Sequence, residues 1–132
     1  MDLIAERKRE GLWDGEILIN GQQRKVTFSR DCAYVQQDDV HFPVLTVYET
    51  IKYAAWTRLP DHLSEEDHNV RVQELLEMMH LEHVRDSVVG DGLRRGISGG
   101  QLRRLSIAIQ IIAFPSLICL DEPTSGYYYI II

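Results

Sequence analysis

Two short stretches of this sequence carry residue types that could do chemistry. Gly96, Ile97, Ser98, Gly99, Gly100 and Gln101 set a serine between glycines just before a strongly apolar run, Leu105 to Phe114. Further along, Ser116 to Leu120 ends in two acids, Asp121 and Glu122. The first stretch matches G-x-S-x-G, the turn that presents a hydrolase's nucleophilic serine. That chemistry needs a strand running into Ser98 and a histidine after the acid in chain order. Here GDGLRRG precedes the serine, and His41, His62, His68, His80 and His83 all lie before it. Alternatively, Ser98, Gly99 and Gly100 open a helix that begins near Gln101. The first amides of a helix lack internal partners and carry partial positive charge, and glycines let a ligand come close, so this arrangement can bind phosphate. An ordinary serine N-cap is the simplest structural account of the same residues. The second stretch reads as a buried strand ending in carboxylates, one able to serve Mg2+ and the next a water molecule in phosphate-cleaving ATPases.

The elements that must position these residues are legible in outline. Met1 to Arg9 reads as the end of a helix stopped by Gly11, and Gly15 to Gly21 as a short strand between glycines. The segment KVTFSRDCAYVQQ, Lys25 to Gln37, is rich in β-branched and aromatic residues and predicts one or two further strands. Thr46 and Glu49 form a capping box that starts a helix running to about Arg58, closed by Pro60. Ser64 to Asp67 starts another, with Val72, Leu75, Leu76 and Met79 on one face. Val88 to Gly100 is a glycine-punctuated loop, and Gln101 to Ala113 a helix apolar on most sides, hence buried on most sides. SLICL then predicts a central parallel strand. Strands, a helical insert, a buried helix and a buried strand ending in acids together predict an α/β fold with a mostly helical subdomain. Ligands of such sheets gather at the carboxyl ends of the strands, where Asp121 and Glu122 stand.

Composition narrows the function. Twenty acidic against 14 basic residues give a net charge of −6, which argues against general nucleic-acid binding. Cys32 and Cys119 have no ligand spacing and suggest a reducing compartment, Cys119 as a small buried hydrophobe. The longest apolar run is too short to cross a bilayer, and MDLIAERKRE is not a signal peptide. His80 and His83 lie three apart, without a third metal ligand nearby. Arg103 and Arg104 point either to phosphate or to surface acids. Tyr53 and Trp56 are read as packing residues or as part of a surface that meets a coupling helix.

Taken together, the motifs resemble the nucleotide-binding domain of ATP-binding-cassette (ABC) transporters, in the G (white/pleiotropic drug resistance) subfamily. ISGGQLRRLSIA is similar to the family signature, SLICLDEPTSG to the Walker B strand and its continuation, and AYVQQDD to the Q-loop. PVLTVYETIKYAAWTRLP resembles the first helix of the subfamily's helical subdomain. The resemblance implies a partial P-loop NTPase (RecA-like) sheet from residues 1–37 and 114–126, and a helical subdomain with the signature helix over 38–113. It further implies a head-to-tail pair of such domains enclosing ATP. Ser98, Gly99, Gly100 and Gln101 would then meet the γ-phosphate of the partner's nucleotide, Asp121 would hold Mg2+, Glu122 would polarise the attacking water, and Gln37 would sense magnesium and γ-phosphate. A transmembrane domain of the parent would place the segment at the cytoplasmic face of a membrane.

The sequence also departs from that pattern. No G-x-x-x-x-G-K-[ST] phosphate loop precedes MDLIAERK, Glu6 stands where the subfamily has glycine, and Tyr127 to Ile132 replaces the continuation toward the switch histidine. That tail, 127–132, is apolar and β-prone. On this reading the chain is an interior slice of an ABC domain that binds ATP poorly alone. The competing reading is a non-catalytic partner that lends its signature face to a complete domain.

Overall fold

The computed structural model describes residues 3–5, 11, 12, 14–24, 28–36 and 41–121. In chain order they form β1 (Leu18–Ile19), β2 (Gln22–Gln23), α1 (Phe28–Asp31), β3 (Cys32–Val35), α2 (Val47–Arg58), α3 (Glu65–Met78), a 3-10 turn (Glu82–Val84), α4 (Gly99–Ile111) and β4 (Leu117–Leu120). β1 and β2 are an antiparallel hairpin in which Ile19 faces Gln22. Asn20 and Gly21 between them both have positive φ, the conformation a two-residue hairpin turn requires. The expected strand between Gly15 and Gly21 is thus only two residues long. The segment expected to be all strand contains a turn of helix, α1, ahead of β3.

β3 and β4 pair in parallel, Cys32 with Leu117 through Val35 with Leu120. Backbone bonds extend the ladder at both ends, from Ser116 N to Asp31 O at 2.8 Å and from Asp121 N to Val35 O at 3.0 Å. Two parallel strands finish at the same edge, so Gln36 and Asp121 lie side by side there. SLICL is therefore a parallel strand as expected, but not a fully covered one: Cys119 is buried, whereas Ile118 is 46% exposed. The most buried members of this small core are Ala5, Tyr34 and Cys119.

The larger core lies between α2, α3 and α4. Val47, Thr50, Ile51, Ala54 and Ala55 are buried on α2, the i, i+3, i+4, i+7, i+8 stripe of an amphipathic helix. α3 adds Val72, Leu75 and Leu76, and α4 adds Leu105 and Ala108, followed by Ile112, all at 0% exposure. Each such leucine or isoleucine contributes about 1.5–3 kcal/mol relative to an exposed position. No residue from 99 to 113 is fully exposed, which accounts for the apolar character of α4 on nearly every side. The first amides of α2 are satisfied from the following loop, Val47 N donating to Ser87 O and Tyr48 N to Arg85 O.

Capping boxes open α2 (Thr46, Glu49) and α3 (Ser64, Asp67), where sequence placed them. Hydrogen bonds from the Thr46 backbone and then its hydroxyl hold the Glu49 carboxyl below its ordinary range, and the Ser64 hydroxyl and then its backbone do the same for Asp67. In the loop before α4, the Leu93 and then the Arg94 amide lower Asp91. Carboxylates depressed in the folded state stabilise it fully above their unfolded pKa values, and that stabilisation is lost as pH falls through the folded ones. The urea midpoint is therefore expected to hold steady from about pH 7 to about pH 5 and to fall below about pH 4. A midpoint that does not move on acidification would contradict this assignment.

Candidate functional site

Position 98 is the N-cap of α4. Ser98 is extended (φ −68°, ψ 158°), its hydroxyl accepts from Gln101 N at 3.3 Å, and Gln101 Oε1 accepts from Ser98 N at 2.7 Å. This is a third capping box, and the helix begins at Gly99 rather than near Gln101. Ser98 is exposed, and Gly99, Gly100 and Gln101 are half-buried. Among the described residues no histidine bonds Ser98; its hydroxyl is engaged in the cap, which is no arrangement for a nucleophile.

The loop before Ser98 is shaped by two glycines lying backbone to backbone. Gly90 has φ +77°, and a Cβ on Gly96 would stand 2.0 Å from Val89 O. Their approach lets Ile97 N reach Val89 O at 3.2 Å and Asp91 N reach Arg94 O at 3.0 Å. The result is a closed loop that delivers Ser98 to the end of α4. Gly100 differs: a Cβ there would meet only Arg104 Nη1, at an ordinary 3.8 Å. Beside Gly99 opens a recess of about 490 Å³, lined by His41, Gly90, Asp91, Gly92, Gly96 and Leu102 among others.

Arg103 and Arg104, in the first turns of α4, do different things. Arg103 is 4% exposed and turns inward. Its guanidinium donates to Gln36 O and, at 3.1 Å, to Asp121 O. It therefore ties α4 to the carboxyl ends of β3 and β4. Arg104 has its Nε enclosed with no hydrogen-bond partner, and its Nη1 would lie 3.8 Å from a Cβ on Gly100, which brings the guanidinium close to the start of α4. At the far end of α4, Arg58 donates to Ile109 O at 2.9 Å, and Arg71 to Ile111 O at 3.0 Å and Ile112 O at 3.3 Å. Arginines thus bind the helix to its neighbours at both ends, a device the sequence does not advertise because their partners are main-chain carbonyls.

Asp121 lies just past β4, with the Tyr34 hydroxyl donating to its Oδ2 at 2.9 Å. Its Oδ1 has no partner among the described residues, so one hard oxygen donor is available at the strand edge. No cluster of three or more His, Cys, Asp or Glu suited to a metal occurs among the described residues. Asp121 could supply one carboxylate to Mg2+, an ion that is commonly held by only one or two protein carboxylates together with phosphate and water. Gln37 and Glu122 lie outside the described residues, next to Gln36 and Asp121 in sequence.

Two other expectations meet the structure differently. Tyr53 and Trp56 are 55% and 57% exposed, so they are not core packing residues. Tyr53 meets Phe42 edge to face at 6.4 Å, and Lys52 lies over the Trp56 ring. Together with His41, Thr50, Ala54, Thr57, Arg58 and Ile109, Phe42 and Tyr53 line a largely apolar hollow. His83 does not pair with His80; its ring contacts Gln101. Among the described residues no helix is long and apolar enough to cross a membrane.

The family model described as "ABC transporter" matches residues 2–125. The chain is 44% identical over 127 residues to Pleiotropic drug resistance protein 1 of Nicotiana tabacum. It is 42% identical to ABC transporter G family member 44 of Oryza sativa subsp. japonica and 41% identical to ABC transporter G family member 40 of Arabidopsis thaliana. Each alignment covers 96% of this chain and 9% of the relative. Matched over almost its whole length, the chain belongs to the ABC transporter family, within its G or pleiotropic drug resistance subfamily.

Proposed function

We propose that the chain is part of the ATP-binding and ATP-hydrolysing module of an ABC-type membrane transporter, and that α4 presents its N-terminus to a nucleotide held by a second such module. The observation that carries this reading is the chemistry gathered at one helix end: an exposed Ser98 cap, a Gly100 that the fold itself does not need, and the Arg104 guanidinium close by. On this reading β3 and β4 belong to a RecA-like sheet, and 38–113 form the helical subdomain. Ser98, Gly99, Gly100 and Gln101 bind the partner's γ-phosphate through amides, hydroxyl and dipole. Asp121 holds Mg2+, directly or through water; when bound, the ion neutralises charge developing on the phosphates. Glu122 polarises the attacking water and Gln37 reads the state of the γ-phosphate. Arg103 keeps the main chain beside those two residues in register with α4. The transmembrane domain of the parent holds the assembly at the cytoplasmic face, and nucleic acid has no part in it.

The 132 residues include no G-x-x-x-x-G-K-[ST], so the test uses a complete G-subfamily nucleotide-binding domain that has one. Its ATPase rate is measured with and without this chain. The expected result is a stimulation of about tenfold or more, abolished by Ser98→Arg, since preorganised donors at the reacting phosphate act on that scale. An unchanged rate in every mixture would overturn the reading.

A further inference from the structure

The third capping box has a feature the other two lack. Thr46 and Ser64 are closed by carboxylates, which only accept, but Ser98 is closed by the amide of Gln101. Ser98 N–H can only donate, so it fixes Oε1 of Gln101 toward itself and turns the NH2 group outward. That group lies 3.2 Å from Nε2 of His83, on the 3-10 turn. An amide NH2 can only donate, so His83 Nε2 must be bare and the ring proton must sit on Nδ1. Protonation places an N–H against the NH2 and turns an attractive contact into a repulsive one.

We infer that His83 is a positioning residue for Gln101: its neutral ring holds the Gln101 side chain in the cap, and its protonated ring releases it. The consequence for the signature face rests on the functional reading above. In the held state, the Ser98 amide and the Gln101 NH2 are both occupied, by Gln101 Oε1 and His83 respectively. In the released state both donors are free for an anion, and the imidazolium adds positive charge beside them. The charged groups that the surrounding elements bring to this corner are Glu82, Arg85 and Asp86 on the same turn, Glu77 and His80 at the end of α3, and Arg104 on α4. Among the described residues none of them forms an ion pair with His83. The ring is exposed.

The test is an NMR titration of the full 132-residue chain, from about pH 8 to about pH 5, without nucleotide. The Gln101 side-chain NH2 and the Ser98 amide are expected to shift with the same midpoint as the His83 ring, while the Thr46 amide does not. His83→Gln keeps an acceptor without a titration and abolishes that midpoint. At one fixed pH, His83→Phe accelerates Ser98 amide exchange about fivefold, the scale of one neutral hydrogen bond. A ring that titrates while Gln101 and Ser98 stay still overturns the inference, as does wild-type exchange in His83→Phe. No readout involves ATP, so this result and that of the ATPase mixture stand or fall separately.

Discussion

Arg103→Met is expected to lower the unfolding free energy by about 3 kcal/mol, far more than an arginine on a helix surface would. The side chain is 4% exposed, and its guanidinium bonds the main-chain carbonyls of residues 36 and 121. Hydrogen bonds to a charged donor contribute about 1.5–3 kcal/mol each, and a carbonyl left without a partner keeps its desolvation cost. Methionine restores most of the apolar volume, so the loss reads on the bonds rather than on a cavity. The ladder should loosen at its carboxyl end, where Asp121 N donates to Val35 O. Arg103→Lys restores one donor without the planar fork and should recover about half the loss. Urea unfolding of the three proteins decides the matter. If Arg103→Met falls within about 0.5 kcal/mol of wild type, water has taken over both carbonyls and this end of α4 is held by its apolar face.

That bond pattern also marks where reading the sequence stops. The helices were legible because their signals are local: Thr46 with Glu49, Ser64 with Asp67, and apolar spacing at 72, 75 and 76. The parallel strand ending at Asp121 was legible as four apolar residues before two acids, although the exposure of Ile118 was not, since it depends on what else lies on the sheet. α1 was missed because Phe28 to Asp31 follows β-prone residues, and a single helical turn has no periodicity to detect. The destinations of Arg58, Arg71 and Arg103 were invisible for another reason. Each reaches carbonyls between 18 and 67 positions away, and every residue offers the same carbonyl. Of the candidate site, Ser98, Gly99, Gly100, Gln101 and Asp121 were named from spacing and resemblance. The contact of His83 with Gln101 could not be, because it joins two elements 18 residues apart.

Two glycines close in sequence are expected to respond to the same substitution in opposite ways. At Gly96, alanine puts a methyl 2.0 Å from Val89 O and 2.6 Å from Gly90 Cα, so the loop must open. Ile97 N then loses Val89 O, and the cost is about 1–3 kcal/mol, as for other overpacked sites. At Gly100, alanine meets nothing closer than Arg104 Nη1 at 3.8 Å, in a helical position where glycine is the poorer residue. Gly100→Ala should therefore leave stability unchanged or raise it by about 0.5 kcal/mol. Its effect should fall on function instead. On the proposed reading, a phosphate of the partner's nucleotide lies over this amide, and a methyl displaces it by about 1 Å, enough to remove most of the roughly tenfold stimulation in the ATPase mixture. Urea unfolding and ATPase assays on both variants separate the two roles. A Gly100→Ala protein that is stable and fully stimulatory would mean that no ligand approaches this amide closely, and the phosphate would have to be met through Ser98 and Arg104 alone.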